Sequence, residues 1–251
     1  MAQAPDNSPI KPEAQRRYWN AWNARFRLGT AKLPETSSRQ ARIIIEWLKG
    51  IGKRESNILE IGCGTGWLCV QLAEFGRVTG IDISDEVLGK TATGVPNITF
   101  VAGDFLHLEL PVRQFDVIVT LEVLSHVADQ TAFIEKIASL LRPGGYLALT
   151  TQNRIALSRC SNVQPLAEGQ IRQWVDANTL RPMLSRHFEL LEFKSIVPAG
   201  DRGFLRWVNS PKLNRIVSVV VSQARLDALK ERLFWGHTLM AFARKSNEEI
   251  T

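Results

Sequence analysis

A glycine-rich turn is the part of this sequence whose residue types and spacing are best suited to hold a ligand. The segment Glu60–Gly66 (EIGCGTG) follows an apolar run and precedes residues with helical spacing. Glycine allows positive φ and has no Cβ, so a ligand can approach this backbone closely, and the amides at the start of a helix face it. Trp67 stands where the G-x-G-x-x-G fingerprint of dinucleotide sites has its third glycine. Together with Glu60, this indole favours a cationic amino acid group over a pyrophosphate.

Carboxylates follow the next two strand-like segments. Asp82 lies within the ~20 residues of the turn at which a carboxylate is expected to accept from a ribose diol. Asp104 can accept from an exocyclic amine, and Phe105 beside it can flank a purine ring. Open α/β sheets bind ligands at the carboxyl ends of their strands, so we expect these residues to face one crevice.

The elements that position these residues alternate between strand-like and helix-like segments, which predicts βαβ units and a parallel sheet. Five core strands are predicted at Asn57–Ile61, Arg77–Ile83, Asn97–Ala102, Phe115–Leu121 and Tyr146–Thr151. Helices are predicted at Trp67–Phe75, Asp85–Thr93, Asp129–Leu141 and Ile171–Leu184. Two further strands, Phe188–Ile196 and His237–Arg244, enclose a basic, apolar insertion at residues 200–236.

These motifs resemble the class I S-adenosylmethionine-dependent methyltransferases, and their pattern is most similar to the small-molecule and polyprenyl-quinone O-methyltransferases. ILEIGCGTGWLCVQLAEFG is similar to the first motif, VTGIDIS to the second, GD with Phe105 to the third, and LLRPGGYLALTT to the stretch ending in the fifth strand. The resemblance implies an α/β fold with a Rossmann-like, mostly parallel seven-stranded sheet. Its last strand is antiparallel and inserted beside the sixth. An N-terminal helical lid and a helical insertion between the last two strands complete the predicted fold.

The resemblance also implies the cofactor, S-adenosyl-L-methionine, with S-adenosyl-L-homocysteine as its product. Glu60 and the glycine turn are expected to hold the methionine part, Asp82 the ribose, and Asp104 with Phe105 the adenine. The residues expected to contact the cofactor are Tyr18, Glu60, Gly62, Cys63, Gly64, Gly66, Asp82, Ile83, Asp104, Phe105 and Leu121. Two alternatives stay open, a Rossmann-like domain for another nucleotide and a relative that binds the cofactor without catalysis.

Catalytic groups of such an enzyme should project from the end of the fourth strand, because methyl transfer from a sulfonium is an in-line displacement. That stretch reads VTLEVLSHV, residues 119–127. His126 is the candidate general base, since histidine titrates nearest neutrality; the alternative is that it bonds the backbone and orders the loop. Glu122 is the second candidate, with loop fixation as its alternative role.

The same stretch narrows the class of acceptor. It lacks the N/D-P-P-Y/F motif of enzymes that methylate amino groups of nucleic acid bases or glutamine amides, and no Pro-Cys nucleophile for cytosine is present. In quinone and small-molecule O-methyltransferases the corresponding stretch ends in Glu-His-Val, whereas Ser125 replaces that glutamate here. Some of the resembling enzymes use acidic residues here with a divalent metal. Because Ser125 has no carboxylate, no metal site is predicted.

Two outer segments carry the expected lid and insertion. Residues 16–23 (RRYWNAWN) resemble the helix that folds over the cofactor in similar enzymes, so Tyr18 and Trp19 can close the site. Trp19, Trp22 and Phe26 also follow the stripe of a helix that packs on the core. The insertion 202–235 has seven Lys or Arg and two Asp or Glu residues. Its apolar stripe consists of Leu213, Ile216, Val217, Val220 and Ala224. A lid over the acceptor, a partner surface and peripheral contact with anionic lipid stay open.

Length and composition limit the class of protein to which these residues can belong. The 251 residues are 45% hydrophobic and 22% charged, which is typical of globular proteins, and no apolar run reaches the ~18 residues of a spanning helix. Residues 1–12 are predicted to be a disordered tail and 13–251 a single methyltransferase domain. Within it, 13–40 form the lid, 41–151 the cofactor-binding core and 200–236 the insertion. Three cysteines without paired spacing favour a cytoplasmic location, and the net charge of +6 is too dispersed to indicate nucleic acid.

The sequence therefore predicts an enzyme that methylates a small-molecule acceptor, at a hydroxyl. A lipidic or quinol acceptor at the membrane surface is the alternative within the enzyme class. A non-catalytic regulatory protein that binds the cofactor is the alternative outside it.

Overall fold

A seven-stranded sheet crosses the part of the chain that the computed structural model describes, namely residues 10–29, 33–52, 55–92, 94–210 and 222–246. Its strands are β1 Ser56–Ile61, β2 Gly76–Asp82, β3 Ile98–Ala102, β4 Phe115–Leu121, β5 Leu141–Gln152, β6 Phe188–Pro198 and β7 Gly236–Lys245. They lie in the order β3-β2-β1-β4-β5-β7-β6. Strands β1 to β5 pair in parallel, and β7 runs antiparallel to both β5 and β6. The predicted fold class is confirmed, including the inserted antiparallel last strand.

Helices cover both faces of this sheet. They are α1 Pro12–Phe26, α2 Glu35–Gly50, α3 Trp67–Leu72, α4 Gln130–Leu140, α5 Arg154–Leu157, α6 Ala177–Ser185, α7 Gly203–Val208 and α8 Gln223–Arg232. Side chains alternate across each strand. Leu59 therefore packs with residues of α4 and α6 on one face of the sheet, whereas Ile58 packs with residues of α2 and α3 on the other. Burial on both faces explains why the core strands are almost continuously apolar in sequence.

The ends of the predicted elements agree with local backbone chemistry. Helix α4 begins where the Asp129 side chain accepts from the backbone N–H of Ala132 at 2.9 Å. It ends at Leu140, before the Arg-Pro-Gly-Gly segment that enters β5. The seven predicted strands are confirmed within a few residues at each end, and β5 begins five residues earlier than predicted.

The helix predicted at Asp85–Thr93 is wrong. Its described residues form turns with a single 3-10 turn at Lys90–Ala92. The backbone N–H of Gly89 donates to the Gly64 carbonyl at 3.2 Å, and that of Thr91 donates to the Thr65 carbonyl at 2.8 Å. These amides bond to the glycine turn rather than to carbonyls one helical turn earlier, a tertiary contact that local spacing cannot reveal.

The helix predicted at Ile171–Leu184 begins only at Ala177, so its first part is a correction. The backbone N–H of Gln173 donates to the Ser125 carbonyl at 2.8 Å, and Val175 forms a bridge with Asn153. Asp176 then caps α6 by accepting from Thr179 at 2.9 Å. Leu180 is buried as predicted, whereas Trp174 is only half-buried because it lies in the extended part.

The outer segments are described in part. Pro12, the last residue of the predicted tail, begins α1, and residues 1–9 lie outside the described ranges. The boundary expected between lid and core, at residues 40 and 41, falls inside α2. The insertion contains α7 and α8, and four of its five predicted stripe positions lie outside the described residues. No helix within the described ranges is long and apolar enough to cross a membrane.

Candidate active site

A cavity of about 280 Å³ lies at the carboxyl ends of β1, β2 and β4, with α1 and α2 also contributing to its wall. Eleven of the predicted site residues line it, namely Glu60, Gly62, Cys63, Gly64, Asp82, Ile83, Asp104, Phe105, Leu121, Glu122 and His126. Parallel register brings these strand ends together, since Ile61 pairs with both Ile81 and Thr120. The crevice expected from the sequence is therefore a single space.

Tyr18 and Gly66, also predicted to contact the cofactor, do not line this cavity. The Tyr18 ring packs edge-on against Trp19 at 4.9 Å between centroids, and Trp19 takes the position on the cavity wall. Gly66 has a φ of 84° and forms the N-cap of α3. Its left-handed conformation sets the path of the turn into α3, so Gly66 contributes to the cavity only indirectly.

The glycine turn needs glycine most strictly at Gly62. Its φ is 78°, and a Cβ built there would lie 2.1 Å from the Cγ2 atom of Val123. The backbone amides of Gly62 and Cys63 donate to the Ile81 carbonyl at 2.7 and 3.1 Å, which fixes the turn to β2. Glycine at position 62 therefore leaves room for Val123, and the amides of Gly62 and Cys63 are paired within the protein.

Asp82 organises the loops around the predicted ribose position. Its Oδ2 accepts from the backbone N–H of Gly64 at 2.7 Å. Its Oδ1 accepts from both the backbone N–H and the hydroxyl of Ser84, at 2.8 and 2.5 Å. One carboxylate therefore joins the glycine turn to the loop after β2.

Helix α1 is fastened over that same loop by two buried asparagines. Asn20 Nδ2 donates to Asp85 Oδ1 at 2.8 Å, and Asn20 Oδ1 accepts from the backbone N–H of Glu86 at 3.2 Å. Asn23 Nδ2 donates to the Ser84 hydroxyl at 3.0 Å. Trp19 and Trp22 are half-buried on the cavity wall, as a lid helix requires, whereas Phe26 is 47% exposed, so the core-packing stripe predicted for α1 is wrong at Phe26.

At the adenine position, Asp104 and Phe105 lie side by side. Asp104 accepts from the backbone N–H of Leu106 at 3.0 Å and lies 2.9 Å from the Nδ1 atom of His107. Phe105 packs edge-on against Phe133, 5.2 Å between centroids. An aromatic surface and a carboxylate therefore meet at the end of the cavity.

Glu60 is buried beside two cysteines. The Cys69 thiol donates to Glu60 Oε2 at 2.9 Å, and burial raises the pKa of Glu60 well above its usual range. Cys63 is 1% exposed and packs with Cys69 against Gly80. The hydrogen bond with Cys63, followed by burial, raises the pKa of the Cys69 thiol. These thiols are therefore poor nucleophiles, consistent with a filling role for Cys63.

Glu122 combines a strained backbone with a half-satisfied carboxylate. Its φ is +61°, which is unusual for a residue other than glycine and is maintained only where the surroundings enforce it. Oε1 accepts from Gln40 Nε2 at 2.5 Å and from the Thr238 hydroxyl at 2.9 Å. Oε2 is buried and has no hydrogen-bond partner among the described residues. Burial raises the pKa of Glu122 to about 7.

His126 is 8% exposed and contacts helix α1 and the segment before α6. Its Nδ1 lies 2.7 Å from the Ile171 carbonyl, which can only accept, so Nδ1 carries the proton and Nε2 the lone pair of the neutral ring. Its own carbonyl accepts from Gln15 at 2.7 Å, and its ring packs edge-on against Trp19 at 4.7 Å. Burial lowers the pKa of His126, which favours the neutral ring. This geometry suits both roles considered for it, general base and loop anchor.

Sequence reasoning missed several residues of the cavity wall, among them Arg27, Gln40 and Gln152. A signal for Gln40 was present, because it falls on the buried stripe of α2 with Ile44 and Leu48. A polar residue on such a stripe needs a buried partner, which here is Glu122. Arg27 follows α1 and has no comparable signal.

A metal-binding group is not evident among the described residues, where no three His, Cys, Asp or Glu side chains are suitably clustered. Ser125, which replaces the glutamate of the quinone enzymes, is fully buried and does not line the cavity. That the site works without a metal stays a prediction.

Comparison with known proteins agrees with this geometry. Residues 59–149 match the family model described as Methyltransferase domain. A probable S-adenosylmethionine-dependent methyltransferase of Mycolicibacterium smegmatis is 33% identical over 103 residues, covering 41% of this chain and 40% of that protein. A ubiquinone biosynthesis O-methyltransferase of Nitrobacter winogradskyi is 30% identical over 176 residues, covering 58% and 62% respectively. The chain thus matches less than two thirds of the length of each of these curated relatives.

Among solved structures, the N-methyltransferase NodS of Bradyrhizobium japonicum in complex with S-adenosyl-L-homocysteine superposes with a TM-score of 0.61. The two sequences are 20% identical, and the match covers 92% of this chain and 98% of that one. At this identity the likeness concerns the fold. Residues 59–149 therefore match a methyltransferase domain, and the chain has the fold of S-adenosylmethionine-dependent methyltransferases, in agreement with its motifs.

Proposed function

We propose that this protein transfers a methyl group from S-adenosyl-L-methionine to a hydroxyl of a small molecule. The observation that carries the proposal is the single cavity in which the glycine turn, Asp82, Asp104 and His126 meet. A bare backbone turn, carboxylates at two strand ends and a neutral imidazole are the groups that such a reaction needs.

The residues present fit this donor. Glu60 and the glycine turn would hold its methionine part, Asp82 the ribose hydroxyls, and Asp104 with Phe105 the adenine. When bound, the donor supplies a sulfonium methyl group that an acceptor oxygen can attack. Asp82 already accepts three hydrogen bonds, so a ribose hydroxyl would compete with the Ser84 hydroxyl for Oδ1.

His126 would take the proton from the acceptor hydroxyl. A hydroxyl is a weak nucleophile until it begins to lose its proton, and a positioned base assists that step. Nδ1 is held by the Ile171 carbonyl, which leaves the lone pair on Nε2 for this purpose. The Trp19 and Trp22 rings on the cavity wall would exclude water from the reacting atoms.

The acceptor class can be tested with a deuterated methyl donor and matched acceptors. Phenols, catechols and quinols would be offered beside the corresponding aromatic amines, and products identified by mass spectrometry. A labelled methyl ether supports the proposal, whereas labelled amines alone would replace it with N-methylation. Tight binding of the donor without transfer to any acceptor would favour the non-catalytic alternative.

A lipidic or quinol acceptor at a membrane surface is the second candidate. Helix α7 exposes Phe204 and Trp207, at 42% and 74%, beside exposed Arg202 and Arg206. Exposed aromatic residues among arginines are typical of segments that rest on anionic lipid. The ubiquinone relative from Nitrobacter winogradskyi, by its name, acts in quinone biosynthesis.

A further inference from the structure

Gln152, the last residue of β5, brings to the cavity wall a hydrogen-bond donor that the reaction described above does not use. Its Oε1 accepts from the indole Nε1 of Trp174 at 2.5 Å. An indole N–H can only donate, so this bond fixes which end of the amide faces Trp174. The other end, Nε2, bonds to no protein atom within the described ranges. Its N–H groups are therefore available to a ligand.

One extended segment, residues 171–175, holds both Gln152 and the candidate base. The Ile171 carbonyl lies 2.7 Å from Nδ1 of His126, and the Trp174 indole donates to Gln152. Three residues of extended chain span at most about 11 Å. The two side chains are therefore anchored to points that lie no farther apart than a small molecule with two polar groups can bridge.

The indole that orients Gln152 is itself held in place. The Arg172 guanidinium lies 5.5 Å from the centroid of the Trp174 ring, a distance at which a cation and an aromatic ring attract each other. Nη1 of Arg172 donates to the Gln164 carbonyl at 2.8 Å, and its Nη2 donates to Gln170 Oε1 at 3.1 Å. The amide is thus oriented before a ligand binds, which lowers the entropic cost of binding.

The order of the strands places Gln152 on the acceptor side of the cavity. Glu60, Asp82 and Asp104, the residues proposed for the methyl donor, lie at or just after the ends of β1, β2 and β3. Strands β4 and β5 lie on the other side of β1. The part of the cavity wall formed by Gln152 and His126 is therefore left for the molecule that receives the methyl group.

We propose that Gln152 determines specificity by donating a hydrogen bond to a second oxygen of the acceptor. This assignment rests on the proposed function, in which His126 takes the proton from the reacting hydroxyl. An amide N–H pairs with an ether, carbonyl or hydroxyl oxygen, whereas an alkyl group in the same place leaves it unpaired. Because Trp19 and Trp22 line the same cavity, the acceptor class that fits is an aromatic ring with two oxygen substituents. Trp174 acts through Gln152 and is a positioning residue.

The test uses acceptor analogues that differ in one atom. A methoxyphenol and the ethylphenol of the same substitution pattern each have one hydroxyl and nearly the same size, but an ether oxygen replaces a CH₂ group. NMR titrations measure their affinities for the protein saturated with S-adenosyl-L-homocysteine, so that no turnover is needed. The ratio of the two affinities is compared between wild type and each variant, so that the greater hydrophobicity of the ethyl group cancels.

Two variants remove the donor in different ways. Gln152→Glu keeps an oxygen for the Trp174 indole but has no N–H, and Gln152→Met is its uncharged counterpart. Both should lower the ratio of methoxyphenol to ethylphenol affinity by about 3- to 10-fold for at least one substitution pattern, as expected for one hydrogen bond. Trp174→Phe should also lower it, while the affinity for S-adenosyl-L-homocysteine stays within about twofold. The control is Gln114→Glu, at an exposed residue before β4 that does not line the cavity.

Ratios within about twofold of wild type in both Gln152 variants overturn the proposal, and so does wild type that binds none of the phenols. A decrease that Gln114→Glu shares, or that Gln152→Met does not show, reflects the added charge and also overturns it. An unchanged ratio in Trp174→Phe overturns the positioning role alone. Wild type that does not bind S-adenosyl-L-homocysteine contradicts the proposed function instead, and the same phenol titrations, made on the protein without it, still test Gln152.

Discussion

At the scale of single residues, one substitution can separate the two roles considered for His126, general base and loop anchor. Nδ1 anchors the Ile171 segment, and Nε2 is left to accept a proton. We expect His126→Ala to lower kcat by about 10²- to 10⁴-fold, the usual contribution of a positioned base. The affinity for S-adenosyl-L-homocysteine should stay within about twofold, as measured by calorimetry beside steady-state kinetics.

His126→Asn is the matched variant, because its amide can still donate to the Ile171 carbonyl. As a general base, His126 cannot be replaced by asparagine, and both variants should be equally slow. Recovery of activity in His126→Asn, or equal losses of kcat and affinity in His126→Ala, would identify a structural role.

Glu122 is expected to make the stability of the protein depend on pH. Burial raises its folded-state pKa from 4.5 to about 7, so its contribution to stability is present below pH 4.5 and is lost as the pH rises through 7. Glu122→Gln removes this loss. The variant should exceed wild type in unfolding free energy at pH 8, by at most ~3 kcal/mol. The difference, followed by urea denaturation, should shrink towards pH 4.5; a difference independent of pH would contradict the assignment.

At the scale of elements, α1 lines the cavity and the segment before α6 packs closely against α1. Gly169 has a φ of +77°, and a Cβ there would lie 2.3 Å from the Ala14 carbonyl oxygen on α1. The same segment carries the Ile171 carbonyl that holds His126. Close approach of two backbones therefore links the lid to the candidate base.

Gly169→Ala should separate these elements and speed hydrogen exchange in α1. We also expect faster dissociation of S-adenosyl-L-homocysteine, since Asn20 and Asn23 lie on the loosened helix. Gly94→Ala is the control, because Gly94 has a similar φ of +79° but no atom within 4 Å of its Cβ position. If both variants behave alike, backbone strain rather than lid contact explains the effect.

The predictability of these elements follows from where their hydrogen bonds go. Strands such as β1 and β4 were predictable because burial on both faces leaves continuous apolar runs. The segment 85–92 was not, because its amides bond to the glycine turn. In the site, motif spacing located Glu60, Asp82 and Asp104. Arg27 could not be found in this way, since it reaches the cavity wall only where α1 and α2 meet.

At the scale of the whole molecule, the parallel strands bring functional residues from distant parts of the chain together at their carboxyl ends. The helical insertion lies apart from this site in sequence. Whether its exposed helix α7 binds lipid would distinguish the two candidate acceptor classes. The lipidic candidate predicts flotation with anionic liposomes at low salt that is weakened by high salt.

Trp207→Ser should reduce this flotation. Leu166→Ser, at a leucine that is 58% exposed outside the insertion, is the matched control. If wild type fails to float at either salt concentration, the membrane candidate is rejected and the small-molecule candidate stands.

The central claim is that the strand-end cavity is a donor site for S-adenosylmethionine. Its most direct test is a calorimetric titration of S-adenosyl-L-homocysteine and NAD⁺ into wild type, Asp82→Ala and Asp116→Ala. Asp116 also accepts from a backbone amide, that of Asn57 at 2.9 Å, but does not line the cavity. We predict one S-adenosyl-L-homocysteine per chain, at least about tenfold weaker binding in Asp82→Ala alone, and no binding of NAD⁺. Binding of NAD⁺ in its place, or unchanged affinity in Asp82→Ala, would contradict the claim.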